Sequence, residues 1–289
     1  MNQIILKATN ISKSFGNTKA LKNVDFHLYK SKIHGLLGEN GAGKSSLMNI
    51  LSGIYQPESG KITIDGNTIK KLNPDYAAQL GIGMVHQEFR LIDNFSIKDN
   101  LTLSKSNIYI DDFGDAFKKY SDIFSLSADP SITINKLSVG EKQKIEIMKL
   151  IFNNNKIMRL DEPTAVLTPQ ETSQLRVSLE KLSEQDDKTI VLITHKLKEI
   201  QDFTESIFVL KDGEMVAKDL KTKDVTKKDL INLMMGEIKT TKVDKENMKG
   251  EYKLKVENIN FENIHSNVPT LNDISLKIKS GEILGIAGV

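Results

Sequence analysis

The sequence predicts an α/β protein built on a buried parallel sheet. Three observations carry the prediction. The run Thr189-Ile-Val-Leu-Ile193 is β-branched and continuously apolar, as a strand covered on both faces requires. A second apolar run, Ile33 to Leu37, leads through a glycine-rich loop into Lys44–Leu51, whose apolar residues fall at helical spacing. The composition, 39% hydrophobic and 27% charged, lies in the globular range and away from the disordered one.

Charge and composition exclude several classes of protein. The 289 residues carry 40 Lys+Arg against 38 Asp+Glu, a net charge of +2, too small an excess to coat nucleic acid. With no cysteine there is no disulfide framework, no thiolate nucleophile and no thiolate metal site. No run reaches the roughly 18 consecutive apolar residues of a membrane span, and Met1–Lys7 is too short for a signal peptide. Arginine occurs only at Arg90, Arg159 and Arg176, so lysine enrichment is general and lysine runs are not read as binding patches.

In chain order, Ile4–Asn10 reads as a strand, Phe15-Gly16-Asn17 as a turn and Val24–Leu28 as a second strand. Ile33–Leu37, the loop Gly38–Gly43 and the helix from Lys44 come next, the helix stopping at Gly53. Lys61–Asp65 and Gly81–Val85 read as strands, and Asp93–Ser131 as a variable helical region. A helix from about Gly140 to Phe152 places Ile145, Met148, Ile151 and Phe152 on one face, and Asn153-Asn-Asn155 ends it. Ile157–Leu160 is a short strand; Gln170–Ser183 is a helix with Leu175, Leu179 and Leu182 on one side. After Thr189–Ile193 come strands at Ser206–Leu210 and Glu214–Ala217 and a short helix at Asp229–Met235.

Glu237–Glu251 is charged and aperiodic, a linker by composition. The residues beyond this linker repeat the beginning of the chain. Leu254–Ile259 mirrors Leu6–Ile11, Leu271–Leu276 mirrors Leu21–Phe26, and Ile283–Gly288 mirrors Ile33–Gly38. The expected organisation is a first domain over 1–236, a linker over 237–251, and the start of a second copy over 252–289, cut off at Val289.

Gly38-Glu39-Asn40-Gly41-Ala42-Gly43-Lys44-Ser45 fits the pattern G-x-x-x-x-G-K-[ST] between a strand and a helix. Glycines let backbone N–H groups converge on phosphate oxygens, and the helix after the loop presents its positive end to the anion. Lys44 can reach the β- and γ-phosphates, and Ser45 can offer its hydroxyl to Mg2+. Leu160-Asp161-Glu162-Pro163, after a buried strand, is the natural partner: Asp161 to hold Mg2+ and Glu162 to take a proton from the attacking water.

Further segments narrow the class. Leu137-Ser138-Val139-Gly140-Glu141-Lys142-Gln143 precedes Asp161, Gln87 stands in Val85-His86-Gln87-Glu88, and His195 comes after the Thr189–Ile193 strand. With the phosphate loop and Asp161-Glu162, this ordered set resembles the ATP-binding-cassette family from the start of the chain to about Gly236. The resemblance implies a phosphate-loop NTPase fold with a parallel core sheet, an antiparallel β subdomain and a helical subdomain at about 90–155. It implies ATP and Mg2+ as ligands, with Phe15 stacking on adenine and Gly38 through Ser46 cradling the phosphates. Ser45, Gln87 and Asp161 would serve Mg2+, and Glu162, His195 and Gln87 the hydrolytic water. Ser138 and Gly140 would bind the γ-phosphate held by an opposite cassette, either a second cassette or another copy of the chain.

The stretches Asp161–Glu171 and Leu137–Ile147, with Leu233-Met-Met-Gly236, look like the importer ATPases for simple sugars and nucleosides, a branch with tandem cassettes. The implied partners are integral membrane permease subunits and, indirectly, an extracellular solute-binding protein, with the chain peripheral at the cytoplasmic face of the membrane. A soluble tandem cassette acting on ribosomes would carry Asn-His-Leu-Asp after Glu-Pro-Thr, where this chain has Ala165-Val-Leu-Thr168. An inactive ATP-binding fragment is the other alternative. Its motive is Arg159, a cation in a strand that is normally apolar, which is expected either to snorkel outward or to weaken the strand before Asp161. Thr168 stands where many cassettes have Asp, and Ser31-Lys32 replaces the Gly-Glu turn kept at Gly281-Glu282. No aromatic matches Phe15 in the second copy, where Asn263 falls nearest.

Overall fold

The computed structural model describes residues 3–86, 88–103, 113–236, 250–262 and 269–286. Gln87, Asn263, Gly288, Val289 and most of the proposed linker lie outside the described residues. The chain divides into two compact units, Met1–Ile238 and Lys239–Val289.

In the first unit a hairpin of β1 (Ile4–Phe15) and β2 (Thr18–Tyr29) precedes strand β3 (Ile33–Leu37) and helix α1 (Lys44–Leu51). Next come β4 (Ser59–Ile64), β5 (Asn67–Ile69), α2 (Pro74–Gln79) and β6 (Ile82–Val85). Helices α3 (Ile97–Thr102), α4 (Phe113–Phe124) and α5 (Val139–Phe152) lead to β7 (Ile157–Asp161). The unit ends with α6 (Pro169–Gln185), β8 (Thr189–Thr194), α7 (Leu197–Phe203), β9 (Ser206–Lys211), β10 (Glu214–Lys221) and α8 (Lys227–Met235).

Two sheets organise these elements. One is four-stranded and antiparallel in the order β2-β1-β4-β5; the other is six-stranded in the order β10-β9-β3-β8-β7-β6. Within the larger sheet β6, β7, β8, β3 and β9 are parallel and β10 is antiparallel at one edge. Alternation along β7 and β8 feeds two cores. Ile157, Val191 and Ile193 pack with Leu47, Met48 and Ile50 of α1 and with Leu6, Ile11 and Phe26 of the hairpin. Met158, Leu160, Ile190 and Leu192 face the other way, onto Ile145 and Met148 of α5 and Leu175 and Leu179 of α6. Strands buried on both faces explain the continuous apolar runs in the sequence.

Helix starts obey local chemistry. Ser96, Ser138, Thr168 and Thr226 each cap a helix, with an Asp or Glu three residues later closing a capping box. Thr168, which replaces a family Asp, is thus the cap of α6. The hairpin strands are longer than their apolar patterns indicate, because bulges at Asn10 and Asn23, both at positive φ, break the alternation. The short elements β5, α2 and α7 carry no periodic signal, and the apolar pattern of the sequence does not mark them.

The second unit contains a hairpin of β11 (Tyr252–Glu262) and β12 (Pro269–Lys279), paired antiparallel. Ile283–Ile286, the counterpart of β3, forms no strand.

Candidate active site

β3 is buried along its whole length between β8 and β9 and delivers the chain into the glycine loop. Gly43, at φ +104, is the N-cap of α1, and a Cβ there would lie 2.5 Å from the Ala20 carbonyl oxygen. At Gly38 a Cβ would lie 2.3 Å from the Leu210 carbonyl oxygen. Both glycines are needed for close approach, and Gly43 for its left-handed conformation as well. Unlike α3, α5, α6 and α8, helix α1 has no side-chain cap and no acidic residue in its first turn. Its positive end is left for an anionic ligand. The buried Lys44 ammonium donates to Gly38 O at 2.7 Å and Glu39 O at 2.9 Å. Burial pushes its pKa down, against the opposing pull of Asp161, Glu162 and Glu39.

Asp161 closes β7, and Glu162 is the next residue. Burial pushes the Asp161 carboxyl up; Arg159 and Lys44 pull it back and Glu162 adds to the rise. Glu162 has φ +46, and every other described non-glycine residue at positive φ is Asn, Asp or Ser. Such backbone costs a longer side chain about 1–3 kcal/mol, and it is held here by the Glu162 N–H donating to Ile193 O at 2.9 Å. His195 Nδ1 lies 2.6 Å from Glu162 Oε1, within hydrogen-bond distance, with the ring N–H as donor and the carboxylate oxygen as acceptor. Buried Glu199 braces both neighbours of this pair. It accepts from Thr164 Oγ1, just past Glu162, and from Thr194 Oγ1 at 2.9 Å and Lys196 Nζ at 2.9 Å on either side of His195.

A cavity of about 490 Å3 gathers Asn40, Gly41, Gly43, Lys44, Ser45, Ser46, Asp161 and Glu162. Gly38, Glu39 and Ala42 shape the loop without lining that space, and His195 reaches it through Glu162. The rest of the lining, Thr18–Ala20 and Asp212-Gly213, carries no functional motif that singles it out in the sequence. The Asp212-Gly213 turn is pinned under the loop: Gly213 N–H donates to Ala42 O at 3.0 Å and Lys22 N–H to Gly213 O at 2.8 Å. An Asp-Gly hairpin turn is legible in the sequence, but nothing local places it beside residues so far away in the chain.

Other expected residues stand apart from the cavity. Phe15 is exposed, edge-to-face with Tyr55 at 5.2 Å, with Lys13 Nζ 5.5 Å from its ring centroid. Ser138 caps α5, its hydroxyl bonded to Glu141 Oε2 at 2.9 Å. Gly140 lies against the α6 cap, where a Cβ would meet Glu171 Oε1 at 2.2 Å. Arg159 neither snorkels nor breaks its strand. It is 5% exposed in an intact β7, registered between Met84 and Val191. Glu146 and Lys149 of α5, which no sequence motif marks, grip a residue just beyond Gln87. Glu146 Oε1 accepts the Arg90 N–H, and Lys149 Nζ donates to Arg90 O at 3.0 Å.

The donor set suits Mg2+: Ser45 offers a hydroxyl and Asp161 a carboxylate, both hard oxygens lining one cavity. Among the described residues no group of three or more His, Cys, Asp or Glu could hold a metal by itself, so phosphate oxygens would complete the shell. The larger cavity, about 680 Å3, lies at the opposite ends of β3 and β9. Several of its polar groups are already paired: Lys32 with Glu205, Tyr29 Oη with Asp219, and His34 with Ser206 and Tyr29.

Comparison with known proteins gives the family and the fold. A family model described as ABC transporter matches residues 21–165. The chain is 35% identical over 294 residues to a nucleoside import ATP-binding protein of Lactococcus lactis, covering 100% of this chain and 58% of that one. It is 37% identical over 291 residues to a galactose/methyl galactoside import ATP-binding protein of Clostridium perfringens, covering 99% and 55%. The chain thus spans just over half the length of these curated relatives. Among solved structures, CbiO1 of Clostridium perfringens, part of an ABC transporter complex, superposes with a TM-score of 0.71 at 25% identity, covering 81% of this chain and 96% of that one.

Proposed function

The chain belongs to the ABC transporter ATP-binding family, and from that premise we propose that it hydrolyses ATP to energise import of a sugar or nucleoside. The carrying observation is one cavity lined by Lys44, Ser45, Asp161 and Glu162, with Glu162 held by His195.

Lys44 and the N-terminus of α1 bind the triphosphate, the ammonium exchanging loop carbonyl oxygens for phosphate oxygens. Ser45 and Asp161 hold Mg2+, which when bound offsets charge on the phosphates. Glu162 accepts a proton from the attacking water, and the His195 Nδ1–H bond fixes the carboxylate's direction. His195 also contacts the γ-phosphate. Phe15 supplies the adenine contact, and Gln87 serves the metal, the water and the membrane partner. Ser138 and Gly140, outside the cavity, complete the site of an opposing cassette, so that ATP closes two cassettes and hydrolysis reopens them. The domain reading is a first cassette over 1–236, a linker over 237–251 and a second cassette beginning at 252. Permease subunits hold the chain at the cytoplasmic face of the membrane, and a solute-binding protein delivers the solute to them.

Two measurements test this reading. Cells lacking the chain are expected to lose uptake of a labelled nucleoside or sugar; unchanged uptake of every solute in both classes would sink the transport role. Light scattering on Glu162→Gln is expected to show a doubled mass with Mg-ATP, abolished by Lys44→Ala. A monomer that still binds ATP would contradict closure between copies.

A further inference from the structure

Arg159 takes no part in the proposed hydrolysis, yet a buried cation in a strand is expensive to keep. Its side chain is buried, and no carboxylate lies within ion-pair distance among the described residues. Among the described residues one hydrogen bond reaches it, from Nη1 to Ser52 Oγ at 3.2 Å, and Nε is buried without a partner. Ser52 is the C-cap of α1, the negative end of the phosphate-loop helix. The remaining compensation comes from Asp161, two residues on and therefore on the same face of β7. His86, the nearby titratable group, offers no negative charge; burial, Arg90 and Arg159 hold its pKa down to about 4.

We propose that Arg159 is an internal counter-ion of Asp161, which competes with the divalent cation and sets the Mg2+ concentration at which the site fills. The inference rests on the reading of Asp161 as a metal-holding residue. Arg159 is buried with its charge offset by Asp161, and a cation that draws on the same carboxylate leaves the guanidinium less compensated. By reciprocity, Arg159 weakens metal binding by as much as the metal destabilises Arg159. Arg159 is a positioning and tuning residue; it touches neither metal nor nucleotide.

The test uses the full chain in excess over ADP, with Mn2+ as the probe and the EPR signal of free Mn2+ as the readout. Arg159→Met and Arg159→Gln are expected to tighten Mn2+ binding by about threefold or more, as loss of one nearby positive charge requires. Arg159→Lys, which keeps the charge and loses the planar fork, is expected to stay within about twofold of the unaltered chain. Gln and Met affinities equal to the unaltered chain's overturn the proposal. So does a Lys variant that moves with Met, since geometry at Ser52 would then be the cause. Asp161→Asn separates the two layers. If it leaves Mn2+ binding unchanged, the metal reading of Asp161 falls and this inference with it. If it weakens binding while Met and Gln do nothing, the inference alone is wrong.

Discussion

The chain builds the same hairpin twice, and only one copy is buried. Leu6↔Leu28, Ala8↔Phe26 and Ile11↔Val24 in the first recur as Leu254↔Ile278, Val256↔Leu276 and Ile259↔Ile274 in the second. Positive φ recurs at matching places: Asn10 and Asn258, Asn23 and Asp273, Ser31 and Gly281. Yet Ile11 is 0% exposed and Ile259 43%, and Leu21 is 1% exposed against 41% for Leu271. Register and bulges are therefore written locally, whereas burial comes from β3, β4 and α1 packing on the first copy. The contrast is sharper one element later. Ile33 is 3% exposed in a strand flanked on both sides, and Ile283 is 97% exposed outside any strand. In the first unit β8 and β9 flank β3 and hold the start of the phosphate loop.

The contrast can be broken at four places, in falling order of effect. Lys44→Ala is expected to cut ATP hydrolysis by about 10²–10³-fold and to remove bound nucleotide from the whole chain. Retention of half the nucleotide would put a second site in the repeat. Ile11→Ala should destabilise the first unit by about 2–5 kcal/mol, while the matching Ile259→Ala stays within about 0.5 kcal/mol. Equal shifts in the denaturant midpoint would show that the second hairpin is packed too.

Acid provides the third. His34 is buried in β3, where its neutral ring accepts the Tyr29 N–H at 2.9 Å and meets Ser206 Oγ at 2.7 Å. Burial pushes its pKa from 6.5 to about 4. The folded value lies below the unfolded one, so this stability is full above pH 6.5 and is lost as pH falls toward 4. The loss should reach roughly 3 kcal/mol. The repeat has Leu284 in the matching position. His34→Leu should flatten the acid limb of a denaturation series while lowering stability at neutral pH, because it strands the Tyr29 N–H; an unchanged acid limb would assign the acid sensitivity elsewhere. Smallest is Ser31→Gly, which relieves φ +56 and gives up the Ser31 Oγ bond to Asp187 at 2.8 Å. The net change in melting should correspond to less than about 1 kcal/mol, and a larger loss would mean that the bond to Asp187 dominates.

Much of this was legible because it is local. The strand, glycine loop and helix at 33–51 and the run Leu160-Asp161-Glu162-Pro163 after its strand are patterns within short windows. The features that stayed hidden depend on chain reversal. The Glu162–His195 bond spans 33 residues, and the Glu199 brace ties Thr164 to the segment beside His195. The Asp212-Gly213 turn under the loop and the grip of Glu146 and Lys149 on Arg90 join segments that no periodicity connects. Arg159 shows the limit most plainly. Sequence flags the misfit, but its accommodation depends on Ser52 at the end of a helix more than a hundred residues earlier.

The central claim is that the first unit's cavity binds ATP and that Glu162, held by His195, drives its hydrolysis. The direct test is single-turnover hydrolysis of radiolabelled ATP by the chain and by Glu162→Gln, with bound nucleotide recovered and identified. The expected result is that Glu162→Gln retains ATP unhydrolysed, its turnover lower by about 10²–10⁴-fold. Turnover at the unaltered rate would contradict the claim, because the proton would then be leaving the water by a group other than Glu162.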